Sequence, residues 1–226
     1  MIEDSLKKRK HVIEYSRDII PSKTDIENIL KVGYELASSK QNSFPYKVFV
    51  LGPNQNRSQI LQSMTENQKI HFDGELSDTA TYVSNPNLMH ISTAPYTLIF
   101  THRLSPPNAY YQLQIDMHDT EWEFDKVEYL KRCRSAYAIE VGILATTITG
   151  AAMDRGWDSS YCVCFPDVKG WGDFPYVEYT PFLIQTLGKG VKFRKDVYRE
   201  SSMRMDTRPS FETIFEFVEG ETNEKL

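Results

Sequence analysis

Two groups of polar side chains have the types and spacing to do chemistry. Near the start Lys7, Lys8, Arg9, Lys10 and His11 are consecutive. Such a run reads as a solvated face or a nuclear address, or as an anion site. A phosphate carries about two negative charges, and forked Arg donors match its oxygens. Further on, Ser38-Ser39-Lys40-Gln41-Asn42-Ser43 separates a helix pattern from an apolar run, and Phe44-Pro45-Tyr46 follows it. A plain connection needs about two to six residues and usually ends the helix with Gly. This one has no Gly and is dense in side chains that hydrogen-bond a polyol or an amide-edged ring, or simply cap the helix. A further basic stretch, "KGVKFRK", holds Lys192, Arg194 and Lys195 and by itself reads as an exposed loop.

The elements that must position these groups follow from pattern. Residues 2–10 suit a short helix. Thr24-Asp25-Ile26-Glu27 fits a capping box for a second helix, whose buried face is Ile26, Ile29, Leu30, Gly33, Leu36 and Ala37. Tyr46 to Leu51 and Tyr96 to Thr101 read as strands, with a helix from Ser58 to Gln68 between them. From about Thr120 to Arg155 no Pro interrupts, and "EVGILATTITGAAM" is apolar or small on almost every face. Such a helix must be covered on all sides, through a layered core or a subunit interface. Gly156 closes it. Asp158–Phe165 and Thr180–Leu187 read as strands, and Phe211, Ile214, Phe215 and Val218 recur at helical spacing.

The 226 residues suit one domain with a sizeable core, or at most two small ones, and 40% apolar with 25% charged residues is a globular composition. A net charge of −5 argues against nonspecific nucleic-acid binding. No apolar run approaches the roughly 18 residues that span a bilayer, and "MIEDSLKKRK" lacks the apolar part of a secretory signal. Cys133, Cys162 and Cys164 do not make a disulfide framework. Cys162 and Cys164 share one face of a strand and read as buried thiols. The expected compartment is the cytoplasm.

Taken in order, the basic cluster, the helix, "SSKQNSFPY" entering a strand and the small-residue helix ending in "DRGWDSSYCVCF" resemble the FMN-dependent nitroreductase family. Arg9-Lys10-His11 falls where that family's basic triplet binds the flavin phosphate. Ser38 to Tyr46 follows the family's Pro-Ser-x-x-Asn-x-Gln-Pro-Trp-like segment, with Ser39, Asn42 and Pro45 matching and Tyr46 keeping an aromatic. "TPFLIQTLGKG" resembles the final core strand, and "FRKDVYRE" resembles the basic segment after it. The likeness covers about residues 5–200.

The resemblance implies an α+β fold: a three-layer sandwich with a mostly antiparallel central sheet flanked by helices, and a long buried central helix at a dimer interface. It implies a single domain over residues 1–226, with a C-terminal segment from about 195 packing on the partner of a homodimer. FMN would be gripped by Arg9, Lys10, His11, Ser38, Ser39, Lys40, Asn42, Asn87, Val163, Cys164, Lys192, Arg194 and Lys195. NAD(P)H would reduce it, and a nitroaromatic, a quinone or another planar acceptor would reoxidise it. Reductive dehalogenation, flavin breakdown and flavin storage are the alternative readings. Tyr110, Tyr111 and Trp122 would belong to a lid over the ring. The chain departs from the family at Ser38 (usually Pro), at Phe44 (usually Gln) and at Ile13, where some relatives carry Lys. It also departs at Val163-Cys164, where some carry an acid followed by Gly.

Overall fold

The computed structural model describes residues 9–39, 44–53, 61, 86–102, 126–163, 181–194 and 211–214; at 86–88, 102, 126–136 and 211–212 it describes the backbone alone. Chain order gives β1 (Val12–Tyr15), α1 (Lys23–Leu36), β2 (Tyr46–Leu51), α2 (Pro86–Thr93), β3 (Tyr96–His102) and α3 (Lys126–Asp154). After these come β4 (Asp158–Cys162), β5 (Leu183–Gly188), β6 (Gly190–Phe193) and α4 (Phe211–Ile214).

Four strands form one sheet in the order β2-β3-β5-β4, with every neighbouring pair antiparallel. β1 and β6 make a separate antiparallel pair. Strand side chains alternate between faces, and both faces of the four-stranded sheet are covered. On one face Tyr96, Leu98 and Phe100 of β3 and Leu187 of β5 pack against Ile26 and Ile29 of α1 and Val141, Leu144, Ala145 and Ile148 of α3. On the other face Thr97, Ile99 and Thr101 of β3 and Thr186 of β5 are equally buried. There the Tyr15 hydroxyl of β1 lies 2.9 Å from Thr186 Oγ1, and α2 packs on β1. Helices, sheet and the β1–α2 layer are the three layers of an α+β sandwich.

The cap of α1 lies two residues earlier than expected. Ser22, not Thr24, is the cap: its hydroxyl accepts from Asp25 N–H at 3.1 Å, and the Asp25 carboxylate accepts from Ser22 N–H at 3.0 Å. The earlier frame puts Asp25 in the first turn, where a negative charge suits the helix dipole. Of the expected buried face, Ile26, Ile29, Gly33 and Ala37 are buried, but Leu36 is 56% exposed. Ten steps of about 100° carry it roughly 80° from the direction of Ile26.

α1 crosses α3 closely at Gly33, where a Cβ would lie 2.5 Å from Ile148 Cγ1 and 3.1 Å from Ile148 Cα. Thr147 donates its hydroxyl to the Gly33 carbonyl at 2.8 Å and ties the crossing. α3 ends as expected at Gly156, which has a φ of 78°. Trp157 N–H reaches the Ala152 carbonyl and Gly156 N–H the Met153 carbonyl, at 3.0 and 2.9 Å, the paired bonds of a Schellman stop.

Among the described residues, α3 keeps one strip open. Val141, Leu144, Ala145, Ile148, Ala151 and Ala152 are buried, while Ile139 is 66% exposed and Ile143 and Thr146 stay open beside Gly142. β4 stops at Cys162, short of the expected Phe165, and β5 starts at Leu183 rather than Thr180. Pro181 precedes it and has no N–H to give a ladder. β1, β6 and α2 were not anticipated as elements. Residues 2–8, 120–125, Tyr110, Tyr111 and the chain beyond Ile214 lie outside the described residues, as does the expected helix at 58–68 apart from the buried, helical Leu61. No helix among the described residues is long and apolar enough to cross a membrane.

Candidate functional site

The pairing of β1 with β6 gathers cations that lie far apart in sequence. Val12 stands opposite Phe193 and Glu14 opposite Lys192. One rung beyond, Arg194 N–H donates to the His11 carbonyl at 2.9 Å. Arg9, Lys10 and His11 therefore enter the ladder where Lys192 and Arg194 leave it. Lys10 Nζ sits 4.9 Å from the centre of the Phe193 ring, so its stem and charge lie along that strand. Arg9 and Lys10 are exposed and His11 is half-buried.

His11 is held between three elements. Its Nδ1 lies 3.4 Å from Ser160 Oγ of β4, and its ring stands 5.9 Å from that of His90 on α2. Burial, reinforced by the positive charges of Arg194 and Arg9, pushes its pKa down from the usual imidazole value. Burial first, and then the same guanidiniums that would attract an anion, disfavour the charged imidazole, and an arriving dianion would oppose the guanidiniums' part in this. Burial raises the Tyr161 hydroxyl's pKa while the Arg9 charge acts to lower it, so the influence of Arg9 extends to β4.

Below this cluster the sheet is braced by polar side chains. Tyr15 donates to the Thr186 carbonyl at 3.2 Å. On the helix side, Gln185 Nε2 donates to the Ala145 carbonyl, Thr149 Oγ1 and Ser159 Oγ at 3.1, 3.1 and 2.9 Å. Thr149 and Tyr161 share a further hydroxyl contact. These bonds fix α3 against β4 and β5, and so fix the strand on which Ser160 is carried.

The Ser38–Tyr46 segment is built differently. Ala37 ends α1 in an extended conformation. Ser38 is exposed. The Ser39 hydroxyl donates to Glu140 Oε2 of α3 at 2.6 Å and accepts from Phe44 N–H at 2.8 Å. Phe44 has a φ of 41°, the one non-glycine residue with positive φ among the described residues. That is a costly conformation for a bulky side chain, and more so before proline. Its ring packs 5.1 Å from Tyr34 and 6.0 Å from Tyr46.

The structure thus brings together Arg9, Lys10, His11, Lys192 and Arg194, and sets Ser38 and Ser39 apart from them. Ser39 reaches α3 on one face of the sheet, whereas His11 meets Ser160 and α2 on the other. Asn87 lies in the first turn of α2, three residues before His90. Val163 is exposed just past β4. Lys40, Asn42, Cys164 and Lys195 lie outside the described residues. Ile13, in place of the lysine some relatives carry, is buried. Cys162 is a buried thiol, as its strand position suggested. Sequence reading gave no role to Ser160, His90 or Glu140. The period of two in a strand sets Ser160 of "DSSYC" on the face away from Ser159 and Tyr161, but nothing in the sequence identifies His11 as its partner.

No protein-family model matches the chain, and no curated protein matches it. Solved structures do. A nitroreductase family protein from Streptococcus pneumoniae superposes with a TM-score of 0.59 at 18% identity, over 96% of this chain and 100% of that one. A protein described as a nitroreductase, from Exiguobacterium sibiricum and in complex with FMN, gives 0.60 at 14% identity over 96% and 97%. One described as an NAD(P)H:FMN oxidoreductase, from Staphylococcus epidermidis, gives 0.58 at 18% identity over 96% of each chain. The chain has the nitroreductase fold.

Proposed function

We propose that this chain is an FMN-dependent oxidoreductase that acts as a homodimer, oxidising NAD(P)H and reducing a nitroaromatic, a quinone or a similar planar acceptor. The observation that carries the reading is the cation cluster: in a fold shared with a structure solved in complex with FMN, strand pairing gathers Arg9, His11 and Arg194 at one point. Two guanidiniums and an imidazole able to accept a proton are a donor set suited to a phosphate monoester.

FMN would supply the hydride and electron transfer. The protein's own residues bind, orient and tune. Arg9 and Arg194 hold the phosphate, with His11, Lys10 and Lys192 completing the positive rim. Ser38, Asn42 and the backbone beside Ser39 border the ribityl chain and ring, and Asn87, Val163 and Cys164 line the approach. Because Ile13 carries no charge, stabilising negative charge on the reduced ring falls to Lys40 or Lys195.

Within one chain the two halves of this site lie on opposite faces of the sheet. A second protomer would complete it. The open strip of α3 along Ile139, Gly142, Ile143 and Thr146 supplies an apolar surface for that contact, and a C-terminal segment from about 195 would wrap the partner.

Purification tests this directly. The expected result is a yellow dimer with flavin absorption bands, in which NADPH is consumed when a nitroaromatic or quinone is added. A colourless protein that refuses added FMN would end the reading. Bound flavin without NAD(P)H turnover would favour flavin binding alone, the alternative to which Ile13 gives some weight.

A further inference from the structure

We propose that Glu140 is a positioning residue for the flavin-bordering segment. It anchors a side-chain latch that runs from α3 through Ser39 to the Phe44 amide. The inference rests on the flavin reading above.

Three observations carry it. First, the Ser39 hydroxyl has a single proton, and Glu140 Oε2 takes it at 2.6 Å. Such a short bond to a carboxylate is of the stronger, charge-assisted kind. The Ser39 hydroxyl therefore offers a ligand no donor while this bond stands, although the residue matches a serine in the family's flavin segment. Second, the same oxygen accepts the Phe44 N–H at 2.8 Å. Polarisation by the carboxylate makes it a better acceptor. Third, Phe44 holds a φ of 41° immediately before Pro45. Left alone, a phenylalanine in that place would relax to an extended conformation. A conformation of this kind persists where surrounding contacts over-determine it, and such sites cluster around ligands. Here the over-determining contacts are the latch and the packing of the ring against Tyr34 and Tyr46.

The anchor is well chosen mechanically. Glu140 lies on the same helix as Ala145 and Thr149, which Gln185 ties to the sheet. The latch therefore refers the Phe44 backbone to the rigid centre of the molecule, although α1 and β2 are the elements adjoining it in sequence. Family members place glutamine where this chain has Phe44. Here an aromatic ring occupies that place, and the Glu140–Ser39 bridge fixes its direction.

The test uses the full-length chain as Glu140→Ala, Glu140→Gln and Ser39→Ala, with two readouts. The first, independent of flavin, is hydrogen exchange at the Phe44 amide. It should speed at least tenfold in S39A, and less in E140A. The second is FMN affinity by fluorescence titration, with the visible circular dichroism of the bound flavin. E140A and S39A should each weaken FMN about tenfold and alter the visible signal. The double variant should be no weaker than the worse single one. E140Q keeps an acceptor oxygen and should bind within about threefold of wild type. Wild-type affinity and spectrum in both alanine variants would overturn the proposal, even if the Phe44 amide exchanges faster, since the latch would then hold the chain without serving the cofactor. A wild-type chain that takes up no FMN overturns the flavin reading and this role with it, while exchange at Phe44 still shows whether the latch itself exists.

Discussion

At the β1–β6 end, side chains hang from a backbone ladder; between Ser39 and Phe44, the backbone hangs from side chains. The first region gathers charge. Its rungs from Val12–Phe193 to the Arg194–His11 bond set where Arg9, His11 and Arg194 stand, so the positions of the charges follow from backbone pairing. The second region fixes shape. Its geometry depends on one hydroxyl, one carboxylate and an unfavourable φ at Phe44. Charge attraction tolerates small displacements, because it falls slowly with distance. A contact against a flat ring does not. The molecule uses a forgiving construction for the charged end of the proposed ligand and a constrained one for the part that must be oriented.

Three measurements would break or sharpen this contrast. The largest effect is expected from removing charge at the ladder. Each guanidinium–phosphate bond contributes on the order of 1.5–3 kcal/mol, so Arg9→Ala should weaken FMN binding at least tenfold. Arg9→Ala with Arg194→Ala should weaken it by a hundredfold or more, read by retention after dialysis. Thermal stability of the apo chain should hardly change, because Arg9 is exposed and the ladder bond of residue 194 is made by its backbone. Full FMN occupancy in the double variant would remove the phosphate from this end.

A middle-sized effect is expected at Gly33→Ala. The new methyl would press on Ile148, including its backbone, so the two helices must separate. Overpacking costs about 1–3 kcal/mol and outweighs a helix-propensity gain of up to about 1 kcal/mol. The melting temperature should fall by several degrees. α1 leads into Ser39 and α3 carries Glu140, so exchange at Phe44 should quicken while the cation cluster keeps its anion affinity.

The smallest effect is the pH response of His11. Its folded pKa is lowered, so the unfolded chain binds more protons in the window between that value and about 6.5. Apo stability should therefore fall as pH drops through 6.5 and continue falling until the folded group also protonates. His11→Asn should flatten that part of the profile of melting temperature against pH. An unchanged slope would mean that His11 is not the group responding.

Much of this architecture could be read from the sequence wherever pattern is local. β2 was bounded by Tyr46 and Leu51, and the end of α3 by Gly156, because periodicity and a stop residue lie within one window. The core face of α1 was legible for the same reason, apart from Leu36 on its last turn. β1 and β6 escaped because four-residue strands carry little pattern, and each is defined by the other from the far end of the chain. For the same reason the basic run near the start and "KGVKFRK" could be suspected of cooperating but not shown to touch. Ser39 was legible as a polar residue in an odd loop. Its partner Glu140 was not, since the bond spans 101 positions and glutamate on a helix normally faces water. The fold class followed from resemblance, and the α+β sandwich of helices on an antiparallel sheet is shared with solved structures at 14–18% identity.

The β1–β6 pairing also bears on when the cluster comes into being. Tyr15 and Thr186 touch across a separation of 171 positions, and contacts of such span are entropically late, since the ends of a long loop must be brought together before any bond rewards them. Helix pairing and the β2–β3 hydrogen bonds can precede it. The cationic end is thus the clasp of the chain, shut only after the rest is in place, and a phosphate seated there would bind the finished molecule in preference to every partly assembled one.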